Sequence, residues 1–150
     1  MTEMLKPVAS ERVETLLKEM NYSYGRDDEN DLMGLWDGNV FYFLAPPSGD
    51  LLQIMSFFRH DFAAQHEEQL RDFIDEWHRT KYWPRLTMLR VGEDESELRI
   101  RADHGVHYEH GASDEQLRLQ INCALQTALR SYSALTQTFG LEFPEPGSGS

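Results

Sequence analysis

Residues 21–60 place the strongest constraint on the fold, because their hydrophobic side chains recur with a period of two. Turn-forming residues interrupt this stretch at positions 25–31, at Asp37-Gly38 and at positions 46–50. The Asp-Gly pair is typical of a tight hairpin, since both positions tolerate a positive φ. The pattern therefore predicts a meander of three or four antiparallel strands.

Three other segments have helical periodicity. The first begins at Ser10 as its expected N-cap, the second spans residues 63–81 and stops before Pro84, and the third begins at Ser113, where Gln116 completes a capping box. Residues 85–91 and 97–108 predict a second hairpin. The order α-β-β-β(-β)-α-β-β-α predicts an α+β fold, with an antiparallel β-sheet and helices packed mainly on one face.

The composition limits the partners of the chain. Its 150 residues include 26 Asp plus Glu against 14 Lys plus Arg, a formal net charge of −12 that repels phosphate backbones, so we expect no nucleic-acid partner. No apolar run approaches the ~20 residues of a membrane helix, and the N-terminus lacks a signal-peptide pattern. We expect a cytoplasmic protein with no membrane partner, one domain over residues 1–143 and a flexible tail over residues 144–150.

The predicted strands differ in the composition of their two faces. Residues 97–103 alternate apolar with charged side chains, as expected for one buried and one wet face. Residues 39–45 and 51–58 instead carry apolar side chains on both faces. If the helices cover one face, Tyr42, Met55 and Phe57 belong to a second apolar face that a client protein or a second subunit would cover. Cover by the last helix or a loop of the same chain is the alternative, and both remain open.

The second helix ends in a run of aromatic and basic residues. Trp77 closes its apolar stripe, Arg79 follows, and Trp83-Pro84 leads into the next strand. This run resembles the motif of the YbjN-domain family, in which an Asn is common where His78 stands here. The resemblance covers about residues 8 to 140 and implies the fold of type III secretion chaperones, with a chaperone-like or regulatory role in protein binding. It implies no catalytic residues, and the motif itself predicts a structural corner.

Six histidines make a metal site the main enzymatic alternative, above all His104, His107 and His110. Residues three apart on a straight strand point to opposite faces, so only a bend at Gly105 would bring the three side chains onto one metal ion. That arrangement would suit a small metal-dependent enzyme or sensor. The sequence offers no other catalytic motif.

Two further features have simpler interpretations. The acidic residues 27–31 do not fit an EF-hand, because Leu32 and Gly38 occupy the positions of its glycine and glutamate. We expect a solvated charged loop there. Cys123 is the only cysteine and lies in an apolar helical stripe, which predicts a small buried hydrophobic residue.

These patterns favour a non-enzymatic, chaperone-like or regulatory protein-binding module without a cofactor. The predicted partner-binding residues are Tyr42, Met55 and Phe57, and the partner is a client protein or a second subunit, including a homodimer. The acidic surface biases the choice toward basic partners.

Overall fold

The computed structural model describes residues 4–143. The predicted tail, residues 144–150, lies outside the described residues. These described residues form a seven-stranded, entirely antiparallel sheet with three α-helices, which confirms the predicted α+β class. None of the helices between residues 4 and 143 combines the length and the apolar composition that a bilayer crossing requires.

The strands of the sheet are β1 (Gly25–Arg26), β2 (Leu32–Trp36), β3 (Asn39–Leu44), β4 (Leu51–Phe57), β5 (Phe62–Ala63), β6 (Arg85–Val91) and β7 (Glu97–His107). Their spatial order is β1-β2-β3-β4-β7, and β7 also pairs with β5 and β6. The β2–β3 turn has positive φ at both Asp37 (53°) and Gly38 (81°), which confirms the tight hairpin. The long strand β7 joins the meander to the second hairpin.

The three helices are α1 (Ser10–Glu19), α2 (Glu67–Thr80) and α3 (Asp114–Thr138). Hydrogen bonds place α3 against the sheet: Gln120 Nε2 donates to the Leu52 carbonyl (2.7 Å), and the Tyr132 and Ser56 hydroxyls lie 2.6 Å apart. Both Leu52 and Ser56 belong to the side of β4 that is buried. We call this side the inner face of the sheet and the opposite side the outer face.

The hydrophobic core fills the space between the inner face and the helices. Strand β3 contributes Phe41 and Phe43, which are 0% and 1% exposed, because alternate residues of a strand point to the same side. Leu16 and Leu17 of α1 and Leu70 of α2 meet the same core. The helices therefore lie on one face, as predicted, and α3 does not cover the outer one.

The helix boundaries confirm one predicted cap, correct the other and move the start of α2. Ser113 caps α3 in a capping box with Gln116, as predicted. Ser10 is instead the first residue of α1, and Ala9 is its N-cap without a side-chain hydrogen bond. Helix α2 begins at Glu67 rather than at position 63, because residues 62–63 pair with β7 and residues 64–66 form a 3-10 turn.

Candidate partner-binding face

The three residues predicted to bind a partner lie together on the outer face. Tyr42 is directly opposite Met55 in the β3–β4 pairing, and Phe57 is opposite Val40. The rings of Tyr42 and Phe57 meet edge to face, with their centroids 6.5 Å apart. All three side chains are partly exposed. Alternation along two adjacent strands is sufficient to bring them together.

Apolar residues of β2 extend this cluster. Met33 lies opposite Tyr42, and Leu35 lies opposite Val40 and is 66% exposed. We call the combined surface the outer apolar patch; it consists of Met33, Leu35, Val40, Tyr42, Met55 and Phe57. A contiguous exposed apolar surface on a folded chain commonly marks an interaction site.

The outer face becomes polar where β4 meets β7. Arg99 donates two hydrogen bonds of 2.9 Å to the carboxylate of Asp61, and Arg101 donates one of 2.7 Å to Asp103. Asp103 also accepts a 3.0 Å hydrogen bond from Gln53 Nε2. Arg99 and Arg101 of β7 therefore already have carboxylate partners, and the apolar patch lies on β2, β3 and β4.

The loop between β1 and β2 carries carboxylates that flank the patch. Its shape is set by Asp27, whose Oδ1 accepts hydrogen bonds from the backbone N–H groups of Glu29 (3.0 Å) and Asp31 (2.9 Å). The loop and the patch enclose an open cleft of about 470 Å³. The cleft is lined by Asp27, Asp28, Glu29, Asp31, Tyr42, Leu44, Met55 and Phe57.

The position of this acidic loop is the feature that the sequence interpretation missed. The sequence predicts a solvated charged segment there, and the proximity of the loop to the patch depends on the pairing of β1 with β2 and of β3 with β4. The signal available was the two-residue strand Gly25–Arg26, whose pairing with Leu32 and Met33 directs the intervening residues across the end of the sheet.

The three histidines of the enzymatic alternative do not converge. His104 lies on the inner face, 4% exposed, with its ring centroid 4.2 Å from that of Trp83. His107 is exposed three residues along the same strand, opposite Leu51, and His110 lies in the following turn. Among residues 4–143 no group of three His, Cys, Asp or Glu side chains is arranged to hold a metal ion.

A smaller cleft of about 240 Å³ lies beside His104 and Trp83. Burial lowers the pKa of His104, and its Nδ1 has no hydrogen-bond partner among the described residues. Cys123 lines this cleft and is only half-buried, so the prediction of a buried cysteine was wrong. The cause is its position on the side of α3 that borders this open cleft.

The four residues of the aromatic motif lie in the last turn of α2 and in the segment that leads into β6. Trp77 is 8% exposed and stacks on Phe73 at a centroid distance of 6.2 Å, while Pro84 is buried and follows a cis peptide bond. Arg79 is exposed and pairs with Glu76 at 3.0 Å. The ring of Trp83, which precedes Pro84, packs against the ring of His104. Of the four motif residues, only Arg79 is fully on the surface.

His78 connects the end of α2 to the start of β6. Its Nε2 accepts a 2.9 Å hydrogen bond from the Leu86 backbone N–H, so Nε2 carries no proton and the imidazole is neutral. Burial, and then the nearby Arg85, lower the pKa of His78, which favours this neutral form. An Asn side chain, common at this position in the family, also offers an acceptor oxygen.

The His78→Ala variant is expected to lose about 1 kcal/mol of stability, because the Leu86 N–H loses its partner. The change corresponds to a melting temperature about 2–4 °C lower for a chain of this size. Thermal unfolding by circular dichroism measures it. Arg79→Ala at the same helix end is the control, and an equal loss in both variants would show that the hydrogen bond contributes nothing specific.

This chain is similar to known proteins in its fold and in its sequence pattern. No curated protein sequence matches the chain. The crystal structure of YbjN from E. coli, titled "a putative transcription regulator", superimposes with a TM-score of 0.74 at 9% sequence identity, covering 94% of this chain and 100% of that one. That likeness shows the shared fold. Residues 9–137 match the sequence pattern of the YbjN family, described as "Putative bacterial sensory transduction regulator". The chain therefore belongs to the YbjN family.

Proposed function

We propose that this protein is a non-enzymatic regulatory module that binds another protein through the outer apolar patch. The carrying observation is the position of the patch, which lies on the sheet face opposite the helices and combines exposed Leu35 with partly exposed Tyr42, Met55 and Phe57. Sheets that are covered on one side normally carry polar residues on the other. The half of the outer face on β7 follows that rule, and the half on β2–β4 does not.

The family description agrees with a regulatory role, since regulators act by contacting other macromolecules. The acidic charge disfavours nucleic acid as that macromolecule and is compatible with a protein. In a chaperone-like role, the patch would cover an apolar segment of a client protein. The histidine-centred enzyme has less support, because His104 and His107 lie on opposite sides of β7.

Site-specific photo-crosslinking tests the proposal. A benzophenone amino acid at position 57 is expected to give a covalent adduct with a partner protein in cells, because Phe57 lies in the patch. The same probe at Tyr82, which is 86% exposed and far along the chain, serves as the matched control. An adduct at twice 17.5 kDa would identify a second subunit, and any other mass a client. Adducts of equal yield at both positions, or none at position 57, would refute the proposal.

A further inference from the structure

We propose that the outer apolar patch and the acidic β1–β2 loop form one site for a segment of another protein in which Lys or Arg side chains stand among apolar ones. This inference rests on the proposed function and names the chemistry of the partner. The juxtaposition that carries it is the cleft of about 470 Å³, where loop carboxylates face Tyr42, Met55 and Phe57.

The carboxylates of this cleft are available to a partner. Asp27 is used within the loop, but Asp28, Glu29 and Asp31 form no ion pair among residues 4–143. The nearest basic residue in sequence, Arg26, already pairs with Glu14 at 2.7 Å. Negative charge without a counter-charge therefore flanks an apolar surface, and a basic side chain of a partner would complement it.

The aromatic rings add a second reason to expect a basic segment. Lys and Arg carry an apolar stem below a charged group, so the stem packs on apolar surface while the charge reaches a carboxylate. A cation over an aromatic ring is also attracted by the ring's electron-rich face. Tyr42 and Phe57 lie on the same cleft as the carboxylates, and both interactions are available to one bound side chain.

The charge distribution disfavours a second copy as the occupant. A symmetric dimer through this face would bring together two chains that each carry a net charge of −12. Arg99 and Arg101, which could offset part of this repulsion, are paired with Asp61 and Asp103 on the same face. The binding of a basic segment of another protein is not opposed by this charge repulsion.

Peptide binding provides the experiment. The probe is a fluorescein-labelled twelve-residue peptide of alternating Leu and Lys, and its matched partner has Glu in place of each Lys. Asp28→Asn/Glu29→Gln/Asp31→Asn removes three charges from the cleft. Glu93→Gln/Asp94→Asn/Glu95→Gln removes three charges from the exposed β6–β7 turn and is the control variant. Fluorescence anisotropy at an ionic strength of about 0.15 M, where the Debye length is about 8 Å, measures the Kd of each pair.

The unmodified chain is expected to bind the Lys peptide and not the Glu peptide. Neutralising the loop should raise the Kd about tenfold or more, and neutralising the turn should change it by less than about twofold, because exposed charges act only over about a Debye length. Equal effects of the two triple variants, equal binding of the two peptides, or no binding of the Lys peptide would overturn the inference.

A third variant, Met55→Gln/Phe57→Gln, separates this inference from the proposed function. If it loses Lys-peptide binding while the loop variant keeps it, the patch binds protein but the carboxylates do not select a basic segment. If both variants keep full binding, neither proposal holds. If the purified chain is a dimer of twice 17.5 kDa that Met55→Gln/Phe57→Gln dissociates, a second copy occupies the patch and the inference is overturned.

Discussion

Met55→Gln/Phe57→Gln is expected to abolish the complex between this protein and its crosslinked partner while leaving the fold intact. Both side chains lie on the outer face, on the β4 side of the patch opposite Tyr42 and Val40, and neither belongs to the buried core. The residues that anchor an interface contribute about 2 kcal/mol or more each, and a loss of 2 kcal/mol weakens binding about 30-fold. Co-purification of the partner, followed by isothermal titration, measures the effect.

The control for this variant removes exposed apolar surface elsewhere. Tyr82 and Leu119 are 86% and 71% exposed and lie outside the patch, so Tyr82→Gln/Leu119→Gln is expected to keep full binding. Circular dichroism should show the same secondary structure in both double variants. A complex that survives Met55→Gln/Phe57→Gln at wild-type affinity would exclude the outer apolar patch as the binding surface.

Phe43→Ala is expected to cost about 3–5 kcal/mol of stability, since it removes a fully buried ring and leaves a cavity. The neighbouring Leu44→Ala should cost clearly less, about 1 kcal/mol, because Leu44 points to the outer face and is partly exposed. Urea unfolding of both variants measures the two losses. A domain of this size has a total stability of about 5–15 kcal/mol, so the Phe43 variant is expected to be marginally folded.

The comparison of these two neighbours tests the assignment of the sheet faces. If Leu44→Ala destabilised the chain as much as Phe43→Ala, the outer face would be buried in the free protein, and the assignment of the two faces would be wrong. Phe43→Leu is a milder substitution at the inner position that keeps the variant folded. Its loss should still exceed that of Leu44→Ala.

Two features that follow from local patterns were predicted correctly, the alternation of the strand faces and the cap of α3. Period-two alternation assigned Tyr42, Met55 and Phe57 to the face opposite Phe41 and Phe43, because side-chain direction in a strand depends only on position. The cap at Ser113 was equally predictable, since its hydrogen bonds lie within four residues. The sequence did not determine which face of the sheet the helices cover. The hydrogen bonds of Tyr132 and Gln120 to β4 place α3 on the inner face.

The features that depend on distant residues were not predictable in the same way. Strand β5 exists because Phe62 pairs with Leu98, and nothing within residues 62–63 distinguishes it from the start of a helix. The acidic loop borders the patch because β1 pairs with β2 and β4 pairs with β3. His78 departs from the family motif, but its hydrogen bond to Leu86 forms only because the segment between α2 and β6 brings the two residues together. Each of these is a tertiary contact rather than a local propensity.

The most direct test of a protein-binding outer face is hydroxyl-radical footprinting of the chain alone and with the crosslink-identified partner. We expect oxidation of Met33, Met55 and Phe57 in the free chain and their protection in the complex, with buried Phe41 and Phe43 unmodified in both. Unchanged oxidation of Met55 and Phe57 when the partner is bound, or no oxidation in the free chain, would contradict the assignment of the patch as the binding surface.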